Sequence, residues 1–383
     1  MSTPPNEVSE SQSQSQSQQS TTDSEAEMPL INREKLEVYK SKLSLPAVYV
    51  STGLKALFRG SDGAETWHRE VYTSISRRNA MNGPESPAQR RGRWPSTSDV
   101  VDEYCKKEDI RVETVELVHG AKLHLVGERS SEGKVILWYH GGGYVGPLKS
   151  GHVMFLRECV KRLEESGKTT VLGIVEYGLA PEVRYPVQYI QGVEAVRYLL
   201  NEAKYEPSNI IIGGDSSGGN LALGVISHIL HPHKDIQPLT LDSKVFGGIL
   251  LLSPWVTFEN TAKSFKENAE RDYLYAENAA AWAPSEFCDH ADYNSYNVPL
   301  SADPSWWTGF PGAKTLLVCG EWELSRDDIK EIGERMGKGG VQGLTVESCP
   351  KEVHAACIFD AQFGFKPQIM AKTVFGWLVT VFN

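Results

Sequence analysis

No CxxC pair, no Asn-x-Ser/Thr sequon and no apolar run near the ~20 residues of a membrane helix occurs in this chain. The 6 cysteines stand at 105, 159, 288, 319, 349 and 357 and outline no disulfide framework. Cys319 and Cys357 sit in apolar surroundings, as small core residues do. Residues 1–27 are polar and lack the apolar stretch of a secretory signal. These absences predict a reducing, cytoplasmic setting with no transmembrane segment. Basic charge is also short, with 39 Lys and Arg against 49 Asp and Glu, a formal net charge of -10. That excludes a general attraction to nucleic acid or to anionic lipid. The one basic cluster, Arg77-Arg78 with Arg90-Arg91-Arg93, reads as a solvated loop and leaves peripheral membrane contact open. Cys288 with His290, and His231 with His233, lack the four ligands of a structural zinc site, so neither metal nor cofactor is expected.

What is present is ordered along the chain. A Ser-Gln repeat over 11–18 marks residues 1–28 as a disordered tail, since nothing there can bury enough apolar surface to offset ordering. Residues 29–104 read as an N-terminal helical cap segment and linker. Leu36, Tyr39, Leu43, Leu54, Leu57 and Phe58 recur at helical steps, and 82–99 is rich in Pro, Gly, Ser and Arg. From 105 to 383 strands and helices alternate. Strands are expected at 111–119, 122–127, 135–139, 170–176, 210–213, 248–252, 315–319 and 344–348. Helices are expected at about 152–166, 187–204, 217–230, 326–337 and 367–381. Continuous apolar strands such as Val135-Ile136-Leu137-Trp138-Tyr139 predict a mostly parallel eight-stranded sheet covered on both faces. An insertion at about 258–312, rich in Trp, Tyr and Phe, is long enough to be an active-site lid.

Two motifs carry chemistry. Gly214-Asp215-Ser216-Ser217-Gly218 lies between an apolar strand and a helix, the setting in which G-x-S-x-G becomes a nucleophile turn. Small residues two places either side of Ser216 let strand and helix approach. The helix start beneath it favours developing negative charge. The stretch lacks the Lys-Ser/Thr of a phosphate loop. His140-Gly141-Gly142-Gly143-Tyr144 follows strand 135–139 directly. Three glycines there allow bare N–H groups to face an oxyanion, and Gly142, Gly143 and the amide of Ser217 are the expected donors. His140 reads as a brace for this loop, and Tyr144 as part of the substrate pocket.

With these motifs the chain resembles the hormone-sensitive-lipase-like family of α/β-hydrolases. The residues responsible are His140–Gly143, the run Gly214-Asp215-Ser216-Ser217-Gly218-Gly219-Asn220, and Tyr177-Gly178-Leu179-Ala180-Pro181-Glu182, which looks like the family's YxLAPE turn. The resemblance implies an α/β-hydrolase fold with a helical cap over about 105–383. It also implies an acid after a late strand, and then a histidine. It places Glu323 at the acid position, with Glu321 and Asp327 as alternatives, although the family more often has Asp. It places the base at His354, the only histidine after His290. The family's aromatic two residues beyond the histidine is Ala356 here.

The implied activity is a serine carboxylesterase or deacetylase for short- to medium-chain esters, with a small, apolar ester as partner and no nucleic acid. An amidase or lactonase would use the same triad. A non-catalytic receptor of this fold would be expected to have lost Ser216 or His354.

Overall fold

The computed structural model describes residues 46–382, apart from 48, 59, 61–62, 82–85, 131 and 276–282. The Ser/Gln tail and the positions Leu36, Tyr39 and Leu43 lie outside the described residues.

A helical stretch over 49–56 leads into α1 (Trp67–Met81), α2 (Pro87–Arg93) and α3 (Thr97–Lys107). The stretch expected as a linker over 82–99 therefore holds α2 and the start of α3. Ser86 with Gln89, and Ser96 with Asp99, each form a capping box that satisfies the first free amides of its helix. The basic cluster is not a solvated loop either. Arg90 is buried against Glu286 at 2.5 Å, and Arg77 donates to the Asp272 carbonyl at 2.8 Å. α3 crosses the boundary expected at residue 104, and its Val100, Val101 and Cys105 join the core beneath the sheet.

All the expected strands form: β1 (Val112–Glu116), β2 (Lys122–Val126), β3 (Lys134–Tyr139), β4 (Thr170–Glu176), β5 (Ile210–Asp215), β6 (Gly248–Leu252), β7 (Thr315–Gly320) and β8 (Leu344–Cys349). β1 ends earlier than expected because the chain turns at Val118–Gly120, where His119 has φ 53°. The larger helices between and after the strands are α4 (Ser150–Glu165), α5 (Val187–Asn201), α6 (Ser217–Leu230), α7 (Arg326–Lys338), α8 (Ala356–Phe363) and α9 (Ile369–Val381). α8 was not expected. It follows a left-handed Ala355 with no capping side chain, so its N-terminus carries no sequence signal.

The strand order is β1-β2-β4-β3-β5-β6-β7-β8. β2 pairs antiparallel with β1 and β4, and every other pair is parallel. Alternation along β3 explains its unbroken apolar sequence. Val135, Leu137 and Tyr139 face one core with α5, α6 and α7, while Ile136 and Trp138 face the other with α3, α4 and α9. The chain reverses its direction of travel across the sheet between β3 and β5. In such sheets the crevice at that point, outside the carboxyl ends of the strands, is where ligands bind.

Candidate active site

β5 delivers Ser216 into a turn that only close packing can hold. Ser216 has φ 53° and ψ -122°, a conformation costing on the order of 1–3 kcal/mol. Its amide donates to the Leu252 carbonyl at 3.0 Å, and its carbonyl accepts from Asn220 and Trp255 at 3.0 and 2.9 Å. A Cβ on Gly218 would overlap the Tyr139 carbonyl, and one on Gly214 would overlap the Gly218 carbonyl. Glycine at these positions is thus a requirement of the approach.

β3 delivers the glycine loop beside it, in register with Tyr139 opposite Gly214. Gly142 and Gly143 take φ 128° and 64°, in the left-handed range that only glycine adopts freely. Among the described residues nothing accepts from the amides of Gly142, Gly143 or Ser217. The loop is held from behind by Asp215, whose Oδ1 accepts from the Gly141 amide at 3.0 Å and the Trp138 indole at 3.1 Å. His152 Nε2 lies 3.2 Å from Asp215 Oδ2. Burial would raise the Asp215 carboxyl, but His152 and these donors outweigh it and hold its pKa below the ordinary value.

His140 is fully buried, stacked on Tyr177 at 4.4 Å, and burial lowers its pKa to about 4. Tyr177 Oη donates to the His140 carbonyl at 2.6 Å, and the Ala180 amide donates to the Tyr144 carbonyl at 2.8 Å. The turn after β4 therefore braces the glycine loop. Tyr144 is wholly buried; its ring stacks on Phe287 at 3.8 Å and its hydroxyl donates to Asn220 at 2.7 Å. Its side chain supports the loop from within.

β7 and β8 deliver the remaining pair. Glu323 Oε2 lies 3.3 Å from His354 Nδ1, and both side chains are buried. Burial disfavours the imidazolium, but Glu323 in direct contact, with Asp272 and Asp215 behind it, holds the His354 pKa above its ordinary 6.5. The other candidate acids turn elsewhere. Glu321 meets Ser348 at 3.0 Å and Lys330 at 3.4 Å. Asp327 meets Arg326 at 2.8 Å and the Ser264 amide at 3.0 Å. Ser216 and His354 are joined through one segment after β6. Trp255 bonds to Ser216, and Ser253 Oγ accepts the Ala355 amide at 3.0 Å.

Three supporting residues escaped sequence reasoning. Ser253 and Asp272 give no local signal, because their partners lie far along the chain. Asn220 stood inside a quoted motif; it accepts from Tyr144 and Tyr189 and donates to the carbonyls of Trp255 and Asn297. A cavity of about 150 Å³ lies between α1 and the His354 loop, lined by Arg69, Arg77, Glu270 and Glu352 but not by Ser216. Among the described residues, no helix is long and apolar enough to cross a membrane.

A family model described as alpha/beta hydrolase fold matches residues 136–358. The chain is 32% identical over 167 residues to human arylacetamide deacetylase-like 2, covering 42% of this chain and 40% of that protein. It is 29% identical over 231 residues to carboxylesterase NlhH of Mycobacterium tuberculosis, covering 57% and 65%. Both matches span less than two thirds of the relative's length. A solved esterase of the bacterial hormone-sensitive lipase family is similar in fold, with a TM-score of 0.63 at 23% identity, covering 84% of this chain and 100% of that one.

Proposed function

The chain belongs to the α/β-hydrolase fold family, and from that premise we propose that it is a serine carboxylesterase or deacetylase acting on short- to medium-chain esters. The observation that carries this reading is the buried Glu323–His354 pair at 3.3 Å, set at the same carboxyl end of the parallel strands as the strained Ser216 turn. Esterase and deacetylase names among the relatives support it.

His354 takes the proton of Ser216 Oγ as that oxygen attacks the ester carbonyl. The amides of Gly142, Gly143 and Ser217 receive the oxyanion, each worth on the order of 2.7–4 kcal/mol of barrier. Glu323 fixes the imidazole tautomer and favours the imidazolium. His354 then protonates the leaving alcohol, and water, activated by the same histidine, releases the acid and frees Ser216. The substrate is an apolar small-molecule ester, in keeping with the aromatic insertion, whose Phe287 stacks on Tyr144 of the glycine loop and whose Phe258 packs on Phe287. A cytoplasmic setting suits six cysteines that are all free and buried.

Hydrolysis of p-nitrophenyl esters from acetate to decanoate tests the reading. Turnover by the wild type that vanishes in Ser216→Ala is expected, with an optimum at short to medium chain length. A folded protein inactive on every ester, or a Ser216→Ala variant with undiminished turnover, overturns it.

A further inference from the structure

The insertion after β6 reaches back to the site through three polar side chains at four-residue spacing, Ser264, Asn268 and Asp272. Ser264 Oγ donates to the Leu324 carbonyl at 2.5 Å. Asn268 Nδ2 donates to the carbonyls of Glu321 and Glu323 at 3.0 and 2.8 Å. Asp272 Oδ2 accepts the Leu324 amide at 2.9 Å, while Oδ1 accepts the amides of Tyr273 at 2.7 Å and His354 at 3.3 Å. All three grip the acid turn, and Asp272 also takes hold of the histidine loop.

Asp272 is fully buried. A carboxylate in that position is costly unless its oxygens are satisfied, and here three backbone amides do so. Backbone bonds from Glu321 to Cys349 and from Trp322 to Glu352 join the two loops near the strands. Asp272 supplies the link at the outer end, on the residues next to and at the reacting side chains. We propose that Asp272 is a positioning residue: by clamping the amides of Leu324 and His354 it sets the separation of Glu323 from His354. The inference rests on reading these two residues, with Ser216, as the hydrolytic triad. It makes the first part of the insertion, from Ser264 to Asp272, a strut of the site.

The clamp also carries charge. His354 faces Glu323 from the acid turn, Asp272 from the insertion and Asp215 from the end of β5. Asp272 in turn faces Arg77, which bonds its carbonyl and lies near Glu270. Burial, with Glu323 adding to it, pushes the Asp272 carboxyl up to about 6. Above that pH its charge favours the imidazolium. Asp272→Asn therefore removes an acceptor and turns an amide group towards a backbone N–H. It also lowers the pH at which His354 becomes neutral.

The test is labelling by diisopropyl fluorophosphate from pH 5 to 9, which forms the Ser216 Oγ–phosphorus bond, expels fluoride and hands the serine proton to His354. No natural ester is needed. A wild type that labels while Ser216→Ala does not secures the nucleophile independently of Asp272; a wild type that fails to label sinks the triad reading itself, and this inference with it. Asp272→Asn is expected to label about 10- to 100-fold more slowly, with its acid limb displaced to lower pH. Arg77→Gln keeps the carboxylate but removes the bond that holds the Asp272 backbone carbonyl, so slower labelling with the acid limb in place is expected. This second variant decides the matter if Asp272→Asn does not fold. Wild-type rate and limb in the folded variants overturn the proposal. So does slowing of Asp272→Asn without displacement of its acid limb, which reports packing alone.

Discussion

Gly218 presses its backbone against the carbonyl of Tyr139, so closely that a Cβ would overlap that oxygen. This contact fixes the nucleophile turn against the strand that launches the glycine loop. Gly218→Ala must push the two apart. A loss of about 1–3 kcal/mol is expected from overpacking. A fall in kcat on the order of 100-fold is expected if the serine moves by about 1 Å. Thermal melting alongside ester turnover checks both; an Ala variant with wild-type kcat would show that the approach is slack.

Glu323→Gln should lower kcat on the order of 10³- to 10⁴-fold, because the imidazole loses the acceptor that selects its tautomer. The sign of the pH effect follows from the raised His354 pKa. Catalysis needs the neutral ring, so the wild-type acid limb lies above pH 6.5, the ordinary histidine value. Removing the carboxylate moves that limb down. Glu321→Gln, whose carboxylate faces Ser348 and Lys330, should leave both rate and limb unchanged. A pH–kcat profile of the two variants separates them, and the reverse pattern would transfer the acid to Glu321.

Tyr144 offers a sharper distinction between wall and brace. Tyr144→Phe deletes a hydroxyl bonded to Asn220, which still accepts from Tyr189, so a cost of about 1 kcal/mol is expected. A brace for the glycine loop affects every ester alike. Equal loss of kcat/KM on acetate and on the longest ester turned over is the expected result, and loss confined to one chain length would make Tyr144 a pocket wall.

Asp328 is buried beside Glu331, Asp327 and Glu259, and one of its oxygens has no hydrogen-bond partner among the described residues. Burial, then these neighbouring carboxylates, push its pKa from 3.8 up to about 7. The folded state thus holds the proton more tightly than the unfolded one, and stability falls as pH rises through that window. Asp328→Asn should raise Tm at pH 8 by a few degrees, corresponding to on the order of 1–2 kcal/mol. Little gain is expected at pH 4, where the acid is already protonated. Equal Tm gains at both pH values would dismiss the electrostatic cause.

Strand and helix alternation was legible because the interior strands β3 to β7 are largely apolar runs, as burial on both faces demands, whereas β1 and β8 at the sheet margins carry polar, exposed residues. The glycine loop and the serine turn were legible because their geometry is local: the residues that permit it are neighbours in sequence. The acid was harder. Glu321, Glu323 and Asp327 lie within the short stretch 321–327, and only the fold reveals which carboxylate faces His354. Asp272 and Ser253 were invisible, since a buried side chain bonded to backbone amides needs no particular partner side chain. The misread stretch over 82–99 fails for another reason. Its prolines, serines and arginines resemble a linker, yet Ser86 and Ser96 are helix caps and Arg90 has a buried carboxylate to meet.

The parallel register of β3 and β5, with Tyr139 opposite Gly214, also governs how the molecule comes into being. The proposed triad cannot be assembled by neighbours in sequence: Ser216 follows β5, Glu323 follows β7 and His354 follows β8. On the proposed triad, a nascent chain still lacking β8 holds Ser216 without its base, however much of the sheet has formed. Recovery of hydrolysis after dilution from denaturant should then trail the recovery of helical signal, since long-range parallel pairing is slow to close.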